Sequence, residues 1–370
     1  MRVLSIHALS IHGERRRRAA LALSDAAAER KIDCLMVSGR ENVRYLSGFT
    51  GSNSAMLIFG DGRATLYTDP RYTIQAGQQV DCRVKVAKGE LMKALVREFD
   101  RSGARCIGIE KDHLDVGTMQ EFAKSLPVRA SFEPVAGIVE KLRMVKDEVE
   151  IGLIRKSVDL NSAAFDAALK RIKTGITESD IAAEIDYRSR RLGAERPAFD
   201  TIVAAGVRAA LPHAQPGRGK IVPGMLLIDM GAFREGYASD MTRMVHLGKA
   251  PGRYKESYKA VLEAQLAAID SVKAGVSCKA VDKVTRETLK KFGFDKEFVH
   301  STGHGLGLEI HEAPRVGRKE KTKLEAGMAI TVEPGIYVEG WGGIRIEDTV
   351  LVTGNGCEVL TPTGKELVEV

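Results

Sequence analysis

The sequence has few cysteines, and their spacing does not favour cross-linking. The five cysteines, Cys34, Cys82, Cys106, Cys278 and Cys357, are odd in number, scattered and never form a Cys-x-x-Cys pair. This pattern excludes a disulfide-stapled scaffold and a zinc ribbon. It favours a reducing compartment, so we expect a cytoplasmic protein.

Long apolar runs are also missing. No stretch is long and apolar enough for a transmembrane helix, and residues 1–13 are too short and too polar. The arginines at 15–18 and the following AALAL resemble a twin-arginine export signal, but Asp25 and Glu29 interrupt the apolar run almost at once. We therefore expect neither a membrane partner nor export.

Concentrated positive charge is the third feature that the sequence lacks. The net charge of +7 is modest for 370 residues, and basic and acidic residues are interspersed. The densest basic run, residues 15–18, is typical of a solvated helix start. The sequence therefore predicts no nucleic-acid partner.

Length and patterning indicate two domains. A chain of 370 residues with 44% hydrophobic content can bury two cores. Short apolar runs alternate with helical periods over the first part, which predicts an α/β layer. We expect a helix over 14–30 and a turn-rich segment over 39–54. The predicted domains are residues 1–142 and 143–370.

The second domain shows the same element order twice. Helical periods over 147–173 and 177–193 precede one predicted β-hairpin, and periods over 254–273 and 278–292 precede another. No sequence repeat is obvious. The order nevertheless suggests an α+β domain with an internal pseudo-twofold.

The first hairpin, within MLLIDMGAFREGYASDMTRMVH, contains two acids. With a turn centred between Arg234 and Glu235, Asp229 and Asp240 are equally far from it and should face each other. Like charges directly opposite on adjacent strands repel. The apolar flanks indicate poor hydration, so a bound cation would neutralise both carboxylates.

The second hairpin, within AITVEPGIYVEGWGGIRIEDTVLVT, repeats this pattern. Glu333 and Glu347 are equally far from a turn centred on Gly340. Strand alternation places Arg345 on the same face as Glu347, and Ile346 on the opposite face.

Three histidines, His300, His304 and His311, lie between the hairpins in a predicted Gly-rich loop, HSTGHGLGLEIHE. One acid alone in a strand usually lies on a solvated face, and one histidine is usually packed. Two opposed acidic pairs with an intervening Gly-His-Gly are harder to explain in that way. One imidazole and four carboxylates suit manganese, cobalt, zinc or ferrous iron, and four acids indicate two ions.

A nucleotide loop is the alternative interpretation of the glycines at 303–307. Their GxGxG pattern resembles a dinucleotide-binding motif. The final spacing is wrong, a histidine lies inside, and no strand-loop-helix unit with a downstream acid is evident, so this interpretation is weak.

The motifs resemble the pita-bread metallopeptidases, which include methionine aminopeptidase, aminopeptidase P and prolidase. The motifs that match are Asp229 with Gly231, Ser239-Asp240-Met241-Thr242-Arg243, Gly303-His304-Gly305-Leu306-Gly307, His311-Glu312, Glu333-Pro334-Gly335 and Arg345-Ile346-Glu347-Asp348. The resemblance covers nearly the whole chain. It implies a pita-bread catalytic domain, in agreement with the pseudo-twofold.

The resemblance also implies the site residues. By this likeness Asp229, Asp240, His304, Glu333 and Glu347 are ligands of two divalent ions, with manganese first and cobalt, zinc or iron possible. Such ions can share a water, lower its pKa and present hydroxide to a peptide carbonyl.

Four further residues are implied to act on the substrate. His213 and His311 resemble the non-ligand histidines that orient substrate and stabilise the intermediate. His300 and Arg345 resemble residues of the proline-specific branches.

The piece NVRYLSGF at 42–49 resembles the N-terminal domain of aminopeptidase P, prolidase and creatinase, which methionine aminopeptidases generally lack. Non-catalytic pita-bread relatives lack the metal ligands, and creatinase departs from them. The resemblance therefore implies an Xaa-Pro aminopeptidase acting on peptides with proline second, with prolidase as the alternative and a non-catalytic peptide-binding protein as a remoter one. It also implies a homodimer.

Overall fold

The structure is a computed structural model that describes residues 11–24 and 32–370. Its internal contacts divide the chain after Arg143 into two units. The predicted boundary at 142/143 falls inside helix α6, Ile138–Met144. Within the described ranges, no helix combines the length and apolarity that a membrane crossing requires.

The first unit is an α/β layer around a six-stranded sheet in the order β4-β3-β2-β1-β5-β6. The strands are β1 (Cys34–Val37), β2 (Ser54–Phe59), β3 (Ala64–Thr68), β4 (Arg83–Val86), β5 (Cys106–Glu110) and β6 (Ser131–Val135). The helices are α1 (residues 11–24), α2 (Arg40–Ser47), α3 (Thr73–Gln79), α4 (Leu91–Ser102), α5 (Val116–Ser125) and α6. Side chains of the central strands, such as Met36 and Leu57, pack with Phe99 of α4 in one apolar core.

The structure differs from two expectations for this unit. The helix predicted over 14–30 is present over 11–24, and residues 25–31 lie outside the described part. The turn-rich prediction for 39–54 is wrong over α2. This helix forms because burial of Val43, Tyr45 and Leu46 favours it, and it ends at Gly48, whose φ is 74°.

The second unit contains four long helices and four small sheets. Its helices are α7 (Glu148–Leu169), α8 (Glu178–Arg191), α9 (Gly252–Ser271) and α10 (Cys278–Lys291). Its first strands are β7 (Arg196–Pro197), β8 (Ile202–Ala205), β9 (Gly224–Met230), β10 (Ala232–Arg234), β11 (Tyr237–Ala238) and β12 (Met241–Leu247). The others are β13 (Gly303–Gly305), β14 (Glu312–Val316), β15 (Ala329–Val332), β16 (Gly335–Val338), β17 (Gly342–Arg345), β18 (Asp348–Val352), β19 (Cys357–Val359) and β20 (Val368–Glu369). The sheet orders are β11-β10-β7, β20-β12-β9-β8, β14-β13-β15-β18-β19 and β16-β17.

The predicted internal pseudo-twofold has a direct structural counterpart. Before α8, the Gly175 amide donates to the Ile221 carbonyl at 2.9 Å, and before α10 the Gly275 amide donates to the Leu324 carbonyl at 2.8 Å. Isolated antiparallel bridges then join Thr177 to Lys220 and Ser277 to Lys323. Each half therefore joins the start of its second helix, by the same contacts, to the segment that precedes a strand of its own sheet.

Candidate metal centre

The first acidic hairpin forms, but its predicted register is wrong. Strands β9 and β12 pair Asp229 with Thr242, not with Asp240. The turn is centred between Glu235 and Gly236, whose φ values of 51° and 83° suit a tight two-residue hairpin turn. Asp240 is therefore a diagonal neighbour of Asp229 on the same face, and a neutral hydroxyl lies directly opposite Asp229.

The second acidic hairpin forms in the predicted register. Strands β16 and β17 pair Val338 with Gly342, and β15 and β18 pair Val332 with Asp348, so both segments are centred on Gly340. Glu333 lies between β15 and β16, and Glu347 lies between β17 and β18. The two glutamates are therefore equally far from Gly340. The face prediction also agrees, because Ile346 lies in an apolar cluster whereas Arg345 contacts Asp229.

His304 lies on a short strand, β13, so the prediction of a Gly-rich loop is wrong at this position. The glycines permit close strand pairing: a Cβ on Gly303 would lie 1.9 Å from the Thr331 carbonyl oxygen. Pairing of Gly305 with Ile330 then holds β13 against β15, the strand that leads to Glu333.

The acids and the imidazole converge from these separate strands. His304 Nε2 lies 3.5 Å from Asp240 Oδ2 and 3.4 Å from Glu333 Oε1. Ligand atoms of Asp240, His304 and Glu347 all lie within 4.8 Å of one another, close enough for one cation.

A single cavity of about 500 Å³ brings the predicted residues together. All nine predicted site residues line it: His213, Asp229, Asp240, His300, His304, His311, Glu333, Arg345 and Glu347. This volume falls in the range of small-molecule sites.

The carboxylates lie in a strongly unfavourable environment for negative charge. Burial raises the pKa of Asp240 well above its ordinary value, and the charges of Asp229 and Glu333 raise it further. Burial likewise raises the pKa of Glu347 well above its ordinary value, followed by the charge of Asp240. Burial also raises the pKa of Glu333. Several carboxylates in one buried cavity therefore call for positive charge.

Asp229 shows that the available positive charge is incomplete. Its Oδ2 lies 2.5 Å from Arg345 Nη2. Its Oδ1 is buried and has no hydrogen-bond partner within the described ranges. A buried carboxylate oxygen without a partner fits a metal ligand, because a cation would satisfy it.

The ring orientation of His304 also fits metal binding. Its Nδ1 donates a hydrogen bond to the carbonyl of Gly305 at 3.0 Å. Nε2 is therefore the ring nitrogen that faces the carboxylates. Metal-binding histidines commonly orient their rings in this way.

His300 and Arg345 belong to one hydrogen-bonded chain. Arg345 Nη1 donates to the Tyr337 hydroxyl at 2.6 Å, which donates to His300 Nε2 at 2.9 Å. His300 Nδ1 donates to the Ser301 carbonyl at 2.8 Å. Burial, followed by the charge of Arg345, lowers the pKa of His300 to about 4, and burial raises the pKa of Tyr337 to about 12. Both side chains are therefore neutral around pH 7.

The remaining predicted residues, His213 and His311, lie on the wall of the cavity. The ring of His311 lies 4.4 Å from that of His304, centroid to centroid. Burial lowers the pKa of His311, and the nearby His304 lowers it further. A neutral imidazole at this position can donate or accept one hydrogen bond.

Two residues for which the sequence predicted no role have clear positions in the site. The Thr242 hydroxyl accepts from Arg345 Nε at 3.1 Å and donates to Glu347 Oε2 at 2.7 Å, so it links the two hairpins. Arg315 lines the cavity directly opposite His304 in the β13–β14 register. Thr242 could have been found from a correct hairpin register, whereas no local pattern marks Arg315.

Two family models together match most of the chain. Residues 152–354 match Metallopeptidase family M24, and residues 20–145 match the Creatinase/Prolidase N-terminal domain. The chain therefore belongs to metallopeptidase family M24 and combines a creatinase-type N-terminal domain with a pita-bread catalytic domain. Family membership and the clustered ligands support a dinuclear metal site.

Individual relatives align with this protein over nearly the whole chain. An Xaa-Pro dipeptidase of Pyrococcus horikoshii is 37% identical over 91% of this chain and 95% of its own length. The structure of an Xaa-Pro dipeptidase from Bacillus anthracis is 38% identical with a TM-score of 0.92, and it covers 96% of this chain and 100% of the other. An X-Pro aminopeptidase from Thermotoga maritima is 38% identical with a TM-score of 0.86, over 93% of this chain and 99% of the other.

Proposed function

We propose that the chain is an Xaa-Pro dipeptidase that hydrolyses the bond between an N-terminal residue and proline. The dipeptidases of Pyrococcus horikoshii and Bacillus anthracis support this alternative better than the aminopeptidase P activity expected first. The observation that carries the proposal is one cavity of about 500 Å³ that holds five candidate ligands beside an arginine.

Asp229, Asp240, His304, Glu333 and Glu347 would hold two divalent cations, with manganese as the first choice. When bound, such cations polarise a peptide carbonyl and acidify a water molecule. The homodimer implied by the family resemblance belongs to the same proposal, and sedimentation equilibrium tests it.

The chain's own residues orient the dipeptide. Arg345 is engaged by Asp229, whereas Arg315 has neither an ion-pair nor a hydrogen-bond partner in the part of the chain described. A free guanidinium suits the terminal carboxylate of a dipeptide. His213 and His311 line the same space, where an imidazole N–H can donate to a developing oxyanion. Glu333 lines the same space and can carry a proton towards the leaving proline nitrogen.

Hydrolysis of Gly-Pro and Gly-Pro-Gln at saturating manganese tests the proposal. We expect the dipeptide to have the higher kcat/KM, because only its proline carboxylate reaches Arg315. Cleavage of the tripeptide alone would favour an aminopeptidase. Release of methionine from Met-Ala peptides without any Xaa-Pro hydrolysis would contradict proline specificity altogether.

A further inference from the structure

A second hollow adjoins the catalytic cavity in the same unit. It has a volume of about 830 Å³, and its lining consists of Arg286, residues 295–296 and 298–301, Arg315 and residues 317–320. His300, Ser301 and Arg315 line both spaces. We call this hollow the basic cleft.

Positive side chains dominate the basic cleft. Lys296, Arg318 and Lys319 are exposed, and within the described ranges none of them has a hydrogen-bond or ion-pair partner. Its acids are Asp295 and Glu320. Thr322 holds the Glu320 carboxylate through its hydroxyl and amide, at 2.6 and 2.9 Å, and the hydroxyl bond above all lowers the pKa of Glu320. With Arg315, four cations therefore face two acids.

The remaining cation of the cleft, Arg286, has a structural position and is not available to a ligand. It forms an ion pair with Asp282 at 2.7 Å. It donates to the Phe298 carbonyl at 2.9 Å and to the His300 carbonyl at 2.5 Å. Its guanidinium also lies 4.3 Å from the centre of the Phe298 ring. These contacts join one wall of the cleft to α10, so the cleft is preformed.

We propose that the basic cleft is an anion subsite for an acidic residue that follows proline in substrates longer than two residues. This inference rests on the proposed Xaa-Pro specificity. Arg315 lies where the two spaces meet, so a peptide whose proline lies beside Arg315 continues towards Lys296 and Lys319. One added residue extends a chain by about 3.5 Å, and a glutamate side chain reaches further. The subsite extends activity to Xaa-Pro-Glu tripeptides. Without contacts in the basic cleft, tripeptides are turned over poorly.

Three tripeptides, Gly-Pro-Glu, Gly-Pro-Gln and Gly-Pro-Lys, measure the charge preference directly. We expect kcat/KM for Gly-Pro-Glu to exceed that for Gly-Pro-Gln by about tenfold at low salt, which corresponds to about 1.4 kcal/mol. Gly-Pro-Lys should be the poorest. The preference should fall in 0.5 M salt, because salt screens the attraction between exposed charges. The Debye length shortens as salt is added, to about 3 Å at 1 M.

The double variant Lys296→Gln/Lys319→Gln should lose the preference and keep Gly-Pro hydrolysis. The double variant Lys170→Gln/Lys249→Gln removes the same charge from exposed positions outside both spaces, and it should behave as the wild type. Equal rates for the Glu and Gln peptides in the wild type would overturn the proposal. So would a preference that persists in Lys296→Gln/Lys319→Gln.

A binding experiment separates this inference from the proposed function. The probes are Gly-Pro-Glu and Gly-Pro-Gln analogues whose scissile carbonyl is reduced to a methylene, titrated into manganese-loaded full-length protein. Tighter binding of the Glu analogue, lost in Lys296→Gln/Lys319→Gln, supports the subsite even if no Xaa-Pro peptide is hydrolysed. Equal binding of the two analogues overturns it even if Gly-Pro is a good substrate.

Discussion

The two oxygens of the Asp229 carboxylate have different surroundings, and the difference indicates which oxygen is left for a cation. Oδ2 is neutralised by Arg345, whereas the buried Oδ1 has no partner among the described residues. A buried acceptor without a partner costs about 1–3 kcal/mol. A bound cation would recover this cost, so the site contributes most to stability when it is filled.

His300 should make the protein sensitive to acid in a defined range. Its pKa is about 4 in the fold and about 6.5 when unfolded, so the unfolded chain takes up the proton first as the pH falls. The stability contribution is complete above pH 6.5 and is lost as the pH falls towards 4. Relative to that of His300→Gln, the free energy of unfolding of the wild type should fall by about 2 kcal/mol between pH 7.5 and pH 5. Urea unfolding at both pH values measures this, and a pH-independent difference between the two proteins would contradict it.

Arg315 should recognise the terminal carboxylate of the dipeptide. Arg315→Gln removes the charge and should raise KM for Gly-Pro by about 10- to 100-fold, since a hydrogen bond to a charged group contributes about 1.5–3 kcal/mol. The turnover number should change much less. Steady-state kinetics with Gly-Pro-amide provides the control, because that substrate has no carboxylate. An equal loss on both substrates would assign Arg315 a structural role.

At the scale of elements, β13 determines where the imidazole lies. Gly303→Ala places a Cβ against the Thr331 carbonyl, so β13 must separate from β15 and carry His304 away from Glu333. We expect weakened metal binding and a loss of stability of about 1–3 kcal/mol from overpacking. Calorimetric titration with manganese and thermal unfolding measure the two effects.

Gly252→Ala is the matched control for Gly303→Ala, because a Cβ at Gly252, at the start of α9, meets no atom within 4 Å. It should leave both metal affinity and stability close to those of the wild type. Unchanged metal affinity in Gly303→Ala would show that close pairing of β13 is not needed to position His304.

Some elements of the fold could be predicted from the sequence, and others could not. The hairpin around Gly340 was placed correctly, because a glycine-rich turn between two apolar strands defines its own centre. The register around Asp229 was wrong because Glu235 adopts a positive φ, which is uncommon for a residue with a side chain. Helix α2 could not be predicted because Asn42, Ser47 and the flanking glycines indicate turns, whereas burial of Tyr45 and Leu46 favours a helix. Arg315 could not be predicted, since only the pairing of β13 with β14 brings it to the site.

At the scale of the molecule, all five predicted ligands belong to the second unit, Met144–Val370. A cation that binds only the folded state, at a free concentration 100 times its Kd, adds about 2.7 kcal/mol to the free energy of unfolding of the unit that binds it. Manganese should therefore slow hydrogen exchange in β9, β12, β13 and β18, and leave β1 and β5 of the first unit unchanged. Mass spectrometry of exchanged peptides measures this, and equal protection of both units would contradict it.

We propose that four carboxylates and one imidazole hold two cations. The most direct test of this claim is the number of manganese ions bound by chelator-stripped wild type and Asp240→Asn, with Gly-Pro hydrolysis followed in the same samples. The wild type should bind two ions per chain and recover activity as they bind, whereas Asp240→Asn should bind fewer and turn over at least about a hundredfold more slowly. Full activity in the stripped wild type, or unchanged manganese binding by Asp240→Asn, would contradict the claim.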